Sequence, residues 1–271
     1  RPFHGGRGTV TRVLISTHPK LDLALVCRYY TQDFYSFHGN AFSENTSVQN
    51  ERGLYWGWKY RWSRRYSLNG SLDLFSFPWL GFRRYAPSQG HEWMLRANYQ
   101  PSSRISLLVL VREEKKARNS SAMANIYRTE EVISHRVSLH CDYGDAGTIR
   151  LKTRVQYNKQ KVPEGMTEGW VFSQDVSVSF GKFQVSGRHA LFDTDHYDNR
   201  HYVYETDAWS SYSFPAYSGV GVRKYALIEY KVSKRLTIWG RYARTRMLKD
   251  EEIGTGQDVI DGNTRNDVKF Q

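Results

Sequence analysis

Three aspartates and a histidine crowd one short stretch, "DTDHYDNR" (193–200), where Asp193, Asp195, His196 and Asp198 lie within six residues. Two chemistries suit such a set. A carboxylate that orients and charges an imidazole lets the pair activate water, and several carboxylate oxygens on one loop suit Ca²⁺. Rim-located outer-membrane hydrolases of the aspartyl type need a second acidic pair from another strand, and none can be placed here. The same residues also favour local backbone hydrogen bonds in an ordinary polar turn. A second stretch, "SFHGN" (36–40), holds the Ser, His and Asn of a phospholipase-like set, but it lies in a long loop with no strand register to aim the groups. No catalytic residue is therefore assigned. Asp193, Asp195 and Asp198 stand as a weak loop candidate for a metal, and no cofactor is expected.

The richer chemistry is basic. Net charge is +12, which attracts anions such as nucleic acid, lipid phosphate or acidic glycans without choosing among them. The cations are not scattered. In "LYWGWKYRW" (54–62), Leu54, Trp56, Trp58, Tyr60 and Trp62 alternate with positions that include Lys59 and Arg61. An extended strand sends the two sets to opposite faces. "TIRLKTRVQYN" (148–158) repeats the pattern, with Ile149, Leu151, Val155 and Tyr157 against Arg150, Lys152 and Arg154. Arg96, Arg136, Arg188, Arg235 and Arg241 share the basic register. In a barrel, Lys59, Arg61, Arg96, Arg136, Arg150, Lys152, Arg154 and Arg241 would face the lumen as a possible anion-facing set. They could equally pair with acids on that side, namely Asp73, Asp175, Glu205, Asp207 and Glu229, or with a plug.

The elements that carry these residues read as strands throughout, for example "EWMLRANY" (92–99), "RISLLVLVRE" (104–113), "RVSLHCDY" (136–143), "DVSVSF" (175–180), "ALIEYKV" (226–232) and "RLTIWGRY" (235–242). Leu108 and Leu110 break the alternation by placing apolar groups on the polar side. Cys27 and Cys141 lie on apolar registers and form no CxxC or Cys/His set, so they read as small apolar residues. The longest uncharged aliphatic run, "ISLLVLV" (105–111), falls far short of the roughly 20 residues of a membrane helix.

Connections alternate in length. Short turns are expected at 18–20, 63–67, 100–104, 143–148 and 180–183, and long loops at 31–53, 78–91, 115–128 and 159–169. Tight turns at one end and long loops at the other are the habit of up-and-down outer-membrane barrels. A soluble sandwich or lipocalin-like barrel also alternates apolar and polar residues. Strands of about ten residues, tilted about 45°, would cover roughly 23 Å, near the apolar band of about 25 Å of a membrane barrel. Aromatics such as Trp62, Tyr66, Trp79, Tyr99, Tyr157, Trp170 and Tyr242 cluster near strand ends, where interfacial rings belong. The fold expected is all-β: a single domain over 1–271, an up-and-down antiparallel transmembrane β-barrel of about 12–14 strands, or a fragment of a larger one. Ten strands are expected up to Asp193. Beyond it, 193–199, 215–221, 232–235 and 248–263 include one connection too few for the last long loop to fall on the long-loop side, unless "ETD" (205–207) hides a turn.

Longer phrases carry a resemblance. "YYTQDFYSFHGNAFSENTSVQNERGLYWG" (29–57), "DLFSFPWLGFRRYAPSQGHEWMLRANYQPS" (73–102) and much of 192–271, ending "IGTGQDVIDGNTRNDVKFQ", resemble the C-terminal β-barrel of the helix-hairpin-helix-containing outer-membrane proteins of Bacteroidetes. The resemblance covers nearly the whole chain. It implies an outer-membrane location, lipid as a partner, and a periplasmic DNA-binding helix-hairpin-helix segment before the barrel. "HGGRG" (4–8) is followed by a strand pattern, so DNA binding carries over to no residue here, and truncation at both ends is expected. Three functions stand as expectations: first an anchor or scaffold for periplasmic or surface partners, then an anion-preferring channel or transporter linked to DNA uptake, and last a rim-located outer-membrane hydrolase.

Overall fold

The computed structural model describes residues 5–36, 42–45, 47–82, 84–119, 129–144, 148–162, 165–249, 252–254 and 259–271. Its strands are β1 (Gly8–His18), β2 (Leu21–Tyr30), β3 (Glu51–Arg61), β4 (Tyr66–Phe77), β5 (Ser88–Ser102), β6 (Ile105–Asn119), β7 (Thr129–Gly144), β8 (Ile149–Val162), β9 (Gly165–Phe180), β10 (Phe183–Thr194), β11 (His201–Tyr202), β12 (Ala216–Tyr217), β13 (Val220–Lys231), β14 (Thr237–Met247), β15 (Glu252–Ile253), β16 (Ile260–Asp261) and β17 (Thr264–Phe270). Thirteen of them form one antiparallel sheet in the order β1 to β10, then β13, β14 and β17. The all-β, up-and-down expectation is met in this order. Among the described residues no pairing joins β1 to β17.

The strand count that sequence leaves one connection short is resolved at 195–219. Stretches 193–199 and 215–221, expected as separate connections between sheet strands, are the two ends of a single excursion between β10 and β13. It carries its own two-residue hairpin, β11 with β12, and an isolated bridge between Glu205 and Ser213. With that correction, long connections follow β2, β4, β6, β10 and β14, and short ones follow β1, β3, β5, β7, β9 and β13. A second correction concerns 159–169, expected as a long loop. There β8 continues to Val162 and β9 begins at Gly165, because "NKQKV" and "GMTEGW" go on alternating.

By contacts the chain divides into two compact units. One comprises 1–98, 110–136 and 160–166; the other comprises 99–109, 137–159 and 167–271. Within each, the sheet's faces differ as the period-two pattern dictates. The outward face of β2 and β3 shows Leu25, Tyr29, Leu54, Trp56 and Tyr60, all exposed. That of β7 to β9 shows Leu139, Tyr143, Ile149, Val155, Trp170, Val176 and Phe180, again exposed. Trp58 is half-buried because its indole lies over Gly70, its cross-strand partner, where an added Cβ would meet the ring at 2.5 Å. The inward face buries Arg28, Glu51, Asn158, Ser173, Arg188, Arg223 and Arg241. Cys27 and Cys141 are free and lie on the outward face.

Candidate functional site

Two long connections fold back onto the inward face, each within its own unit, and each is held by a network of ion pairs. In the second unit the holder is Glu205, which has no exposed surface. Its Oε1 accepts from Arg223 Nε at 2.7 Å and from the Tyr217 hydroxyl at 2.9 Å. Its Oε2 accepts from Arg223 Nη2 at 3.0 Å, Ser213 Oγ at 3.1 Å and Arg241 Nη2. The neighbouring Asp207 accepts from Lys269 Nζ at 2.6 Å, and Arg223 reaches Thr245 at 2.6 Å and Asp267 at 3.4 Å. Arg223, Arg241 and Lys269 thus face Glu205, Asp207 and Asp267. Val203 and Tyr217 add an apolar clamp against Val171, Ala190, Phe192 and Met247, with the Tyr217 and Phe192 rings stacked at 5.1 Å. Burial alone would raise the Glu205 pKa; hydrogen bonds from Arg223 and Tyr217 and the Arg223 and Arg241 charges outweigh it and hold the carboxyl below its ordinary range.

In the first unit the holder is Glu51, equally buried. It receives Arg28 Nε at 2.5 Å, Ser43 Oγ at 2.6 Å and the Glu44 amide at 2.9 Å, which draws residues 43–45 onto the sheet. Arg28 also donates to Asp73 at 2.8 Å. Lys116 pairs with Glu44 and Glu114, and Arg112 with Glu92 at 2.5 Å and Glu114 at 3.3 Å. Asn50, in the left-handed region at φ 53°, fastens this connection to the next: its amide donates to the Trp79 carbonyl at 2.8 Å, and its Oδ1 accepts from the Trp79 N–H at 2.9 Å. Asn tolerates that conformation better than other side-chain-bearing residues.

Gly53 is what lets Arg28 lie flat across β3. An added Cβ would stand 2.2 Å from the guanidinium carbon. Gly53→Ala is expected to push Arg28 off Glu51 and Asp73 and to cost about 1–3 kcal/mol. Gly240→Ala, whose new carbon would meet only the Phe270 ring at 3.6 Å, should leave a urea melt within error of the parent. Equal melts for the two variants would refute the account of Gly53.

The expected anion-facing residues fall into two groups. Arg61 pairs with Asp22 at 3.1 Å, Arg154 with Asp142 at 3.2 Å, and Arg241 with Glu205. Lys59, Arg96, Arg136, Arg150 and Lys152 have no acidic partner within salt-bridge distance among the described residues, although Arg96 donates to Asn98 at 3.3 Å. Arg150 and Lys152 line a cleft of about 250 Å³ in the second unit, beside Asp142 and Arg104. Arg188 pairs with Asp175, and Arg235 sits exposed in the turn before β14.

The acidic stretch 193–200 does not assemble. Asp193 lies within β10, one residue before its end, and Asp195 accepts from the Glu168 amide at 3.0 Å. His196 caps a three-residue 3₁₀ helix, taking the Asp198 amide on Nδ1 at 3.2 Å, while the His196–Asp198 side-chain separation is 3.8 Å. No group of three metal-binding side chains occurs among the described residues. Of "SFHGN", residues 37–40 lie outside the described residues. Arg28, Glu51 and Arg223 escape a sequence reading altogether. Their signal was a charge in register with buried apolar neighbours, as with Arg28 between Val26 and Tyr30.

No protein-family model matches the chain, and no curated protein matches it. Among solved structures, the chain is similar to a Pseudomonas aeruginosa FadL homologue, at 11% identity and a TM-score of 0.38 over 96% of this chain and 76% of that one.

Proposed function

We propose that the chain is a β-barrel of the bacterial outer membrane that works as an anchor, with its interior held shut by the two infolded connections. The observation that carries this reading is the inverted distribution of side chains. Trp56, Leu74, Val109, Leu139, Val176 and Ile228 are exposed, while Arg28, Glu51, Arg188, Glu205, Arg223 and Arg241 are buried. A soluble sheet does the reverse, whereas a spanning barrel needs an apolar exterior and tolerates a polar interior. Along β8 the outward residues are apolar or uncharged from Ile149 to Tyr157 and then turn to Lys159 and Lys161, about the nine to eleven residues that cross a bilayer. Barrel closure is part of the proposal. Its partners would be outer-membrane lipid and periplasmic or surface proteins. DNA would join only through a helix-hairpin-helix domain of the family that the chain resembles.

A second reading, an anion-preferring passage, draws on Lys59, Arg96, Arg136, Arg150 and Lys152, which have no acidic partner among the described residues. Planar-bilayer recordings separate the two. The intact chain should insert, migrate faster on gels before boiling than after, and show no steady conductance. Steady anion-selective steps that Arg150→Gln and Lys152→Gln weaken would replace the anchor with the passage. Failure to insert into zwitterionic vesicles at all would end both.

A further inference from the structure

On the outward face of the second unit three cations stand together with no acid paired to them among the described residues. Lys224 of β13 and Arg244 of β14 are direct cross-strand partners, and Arg246 is the next residue of β14 on the same face. His189 of β10 flanks Lys224 on the other side, and Asn266 of β17 flanks Arg244. The Asn266 oxygen is already taken by the Tyr242 hydroxyl at 2.8 Å. The acid of β10 on this face, Asp193, is in register with Val220, four residues along from Lys224. Lys224, Arg244 and Arg246 are exposed and make no ion pair among the described residues.

Like charges placed directly opposite on adjacent strands repel, and the surrounding face gives them no reason to be there. Ala226, Ile228, Tyr230, Ile238 and Tyr242 continue it toward the short turns. Lys224 lies four residues from Val220 and Arg244 three from Met247, so at about 2.3 Å of height per tilted residue they sit roughly 7–9 Å below the long-connection end of the strands. That is within reach of lipid headgroups for side chains that extend toward the interface.

We propose that Lys224, Arg244 and Arg246 form a docking site for the phosphate of an anionic membrane lipid, in the leaflet at the long-connection rim. The inference rests on the outward face being the lipid-facing one. Two donors from opposed strands and a third one step along the strand can bind one phosphate group from three sides, and the anion converts mutual repulsion into shared attraction.

The test uses the full chain in phosphatidylcholine bilayers doped with phosphatidic acid, reading selective retention of the anionic lipid by native mass spectrometry. Phosphatidic acid should be retained over phosphatidylcholine, with affinity falling about fivefold for each of Lys224→Gln, Arg244→Gln and Arg246→Gln. Lys234→Gln, in the opposite turn, should change nothing. Retention that is equal for the two lipids, or unaltered in the triple variant, overturns the site. Competition by equimolar inorganic phosphate overturns its assignment to lipid. Insertion into pure phosphatidylcholine is scored separately, so a chain that never inserts refutes the membrane reading and not this site alone.

Discussion

Glu205→Leu is expected to cost about 3–5 kcal/mol, because it strands Arg223 and Arg241 in a buried setting without their shared carboxylate. The loss should appear as a lower urea midpoint in vesicles and as new protease cutting within 195–219. A triple variant, Glu205→Leu with Arg223→Leu and Arg241→Met, should recover part of the loss, since it removes the two stranded guanidiniums together with their shared carboxylate. A Glu205→Leu chain as stable as the parent would remove the network from the account of closure. Acid offers a second route to the same state. With its folded pKa held below the ordinary value, Glu205 contributes stability that is fully present above its unfolded pKa and is lost as pH falls through the folded one. Release of 195–219 should therefore set in only as pH falls below the ordinary glutamate range, and the Glu205→Leu chain should lack that acid step.

Period two made the sheet legible: β3 and β8 read directly from "LYWGWKYRW" and "TIRLKTRVQYN", and the faces of Trp56, Lys59 and Arg150 follow from their registers alone. The excursion at 195–219 did not, for a physical reason. "HYVYE" alternates as a strand does, with His201, Val203 and Glu205 buried and Tyr202 and Tyr204 exposed, yet its partner is the loop's own 213–217 and not a neighbour in the sheet. Alternation reports that one side of a segment is covered, not what covers it. The ion pairs were illegible for a related reason. Glu205 and Asp207 could be named as inward acids, but their partners come from β13, β14 and β17, and only the fold of the loop selects them.

Trp56→Arg is the second large effect expected. Trp56 sits midway along β3 with 47% of its surface exposed, and in a water-facing sheet such an exchange would be almost neutral. On a lipid-facing sheet it should cost about 2–4 kcal/mol, while Trp62→Arg, just past the strand end, should cost no more than about 1 kcal/mol. Folding yield into bilayers, followed by the gel shift on boiling and by urea titration, gives the difference. Equal stability for Trp56→Arg and the parent would return the chain to the soluble sandwich class.

The partners of the Glu205 latch also set when it can form. Arg223, Arg241 and Lys269 lie on three strands spread over the last fifth of the chain, so the latch has nothing to grip until β13, β14 and β17 are aligned. It belongs to the final step of assembly and the first of disassembly. Changes there should therefore quicken unfolding while leaving the rate of strand assembly almost untouched, which makes 195–219 a determinant of how long the folded state lasts more than of whether it is reached.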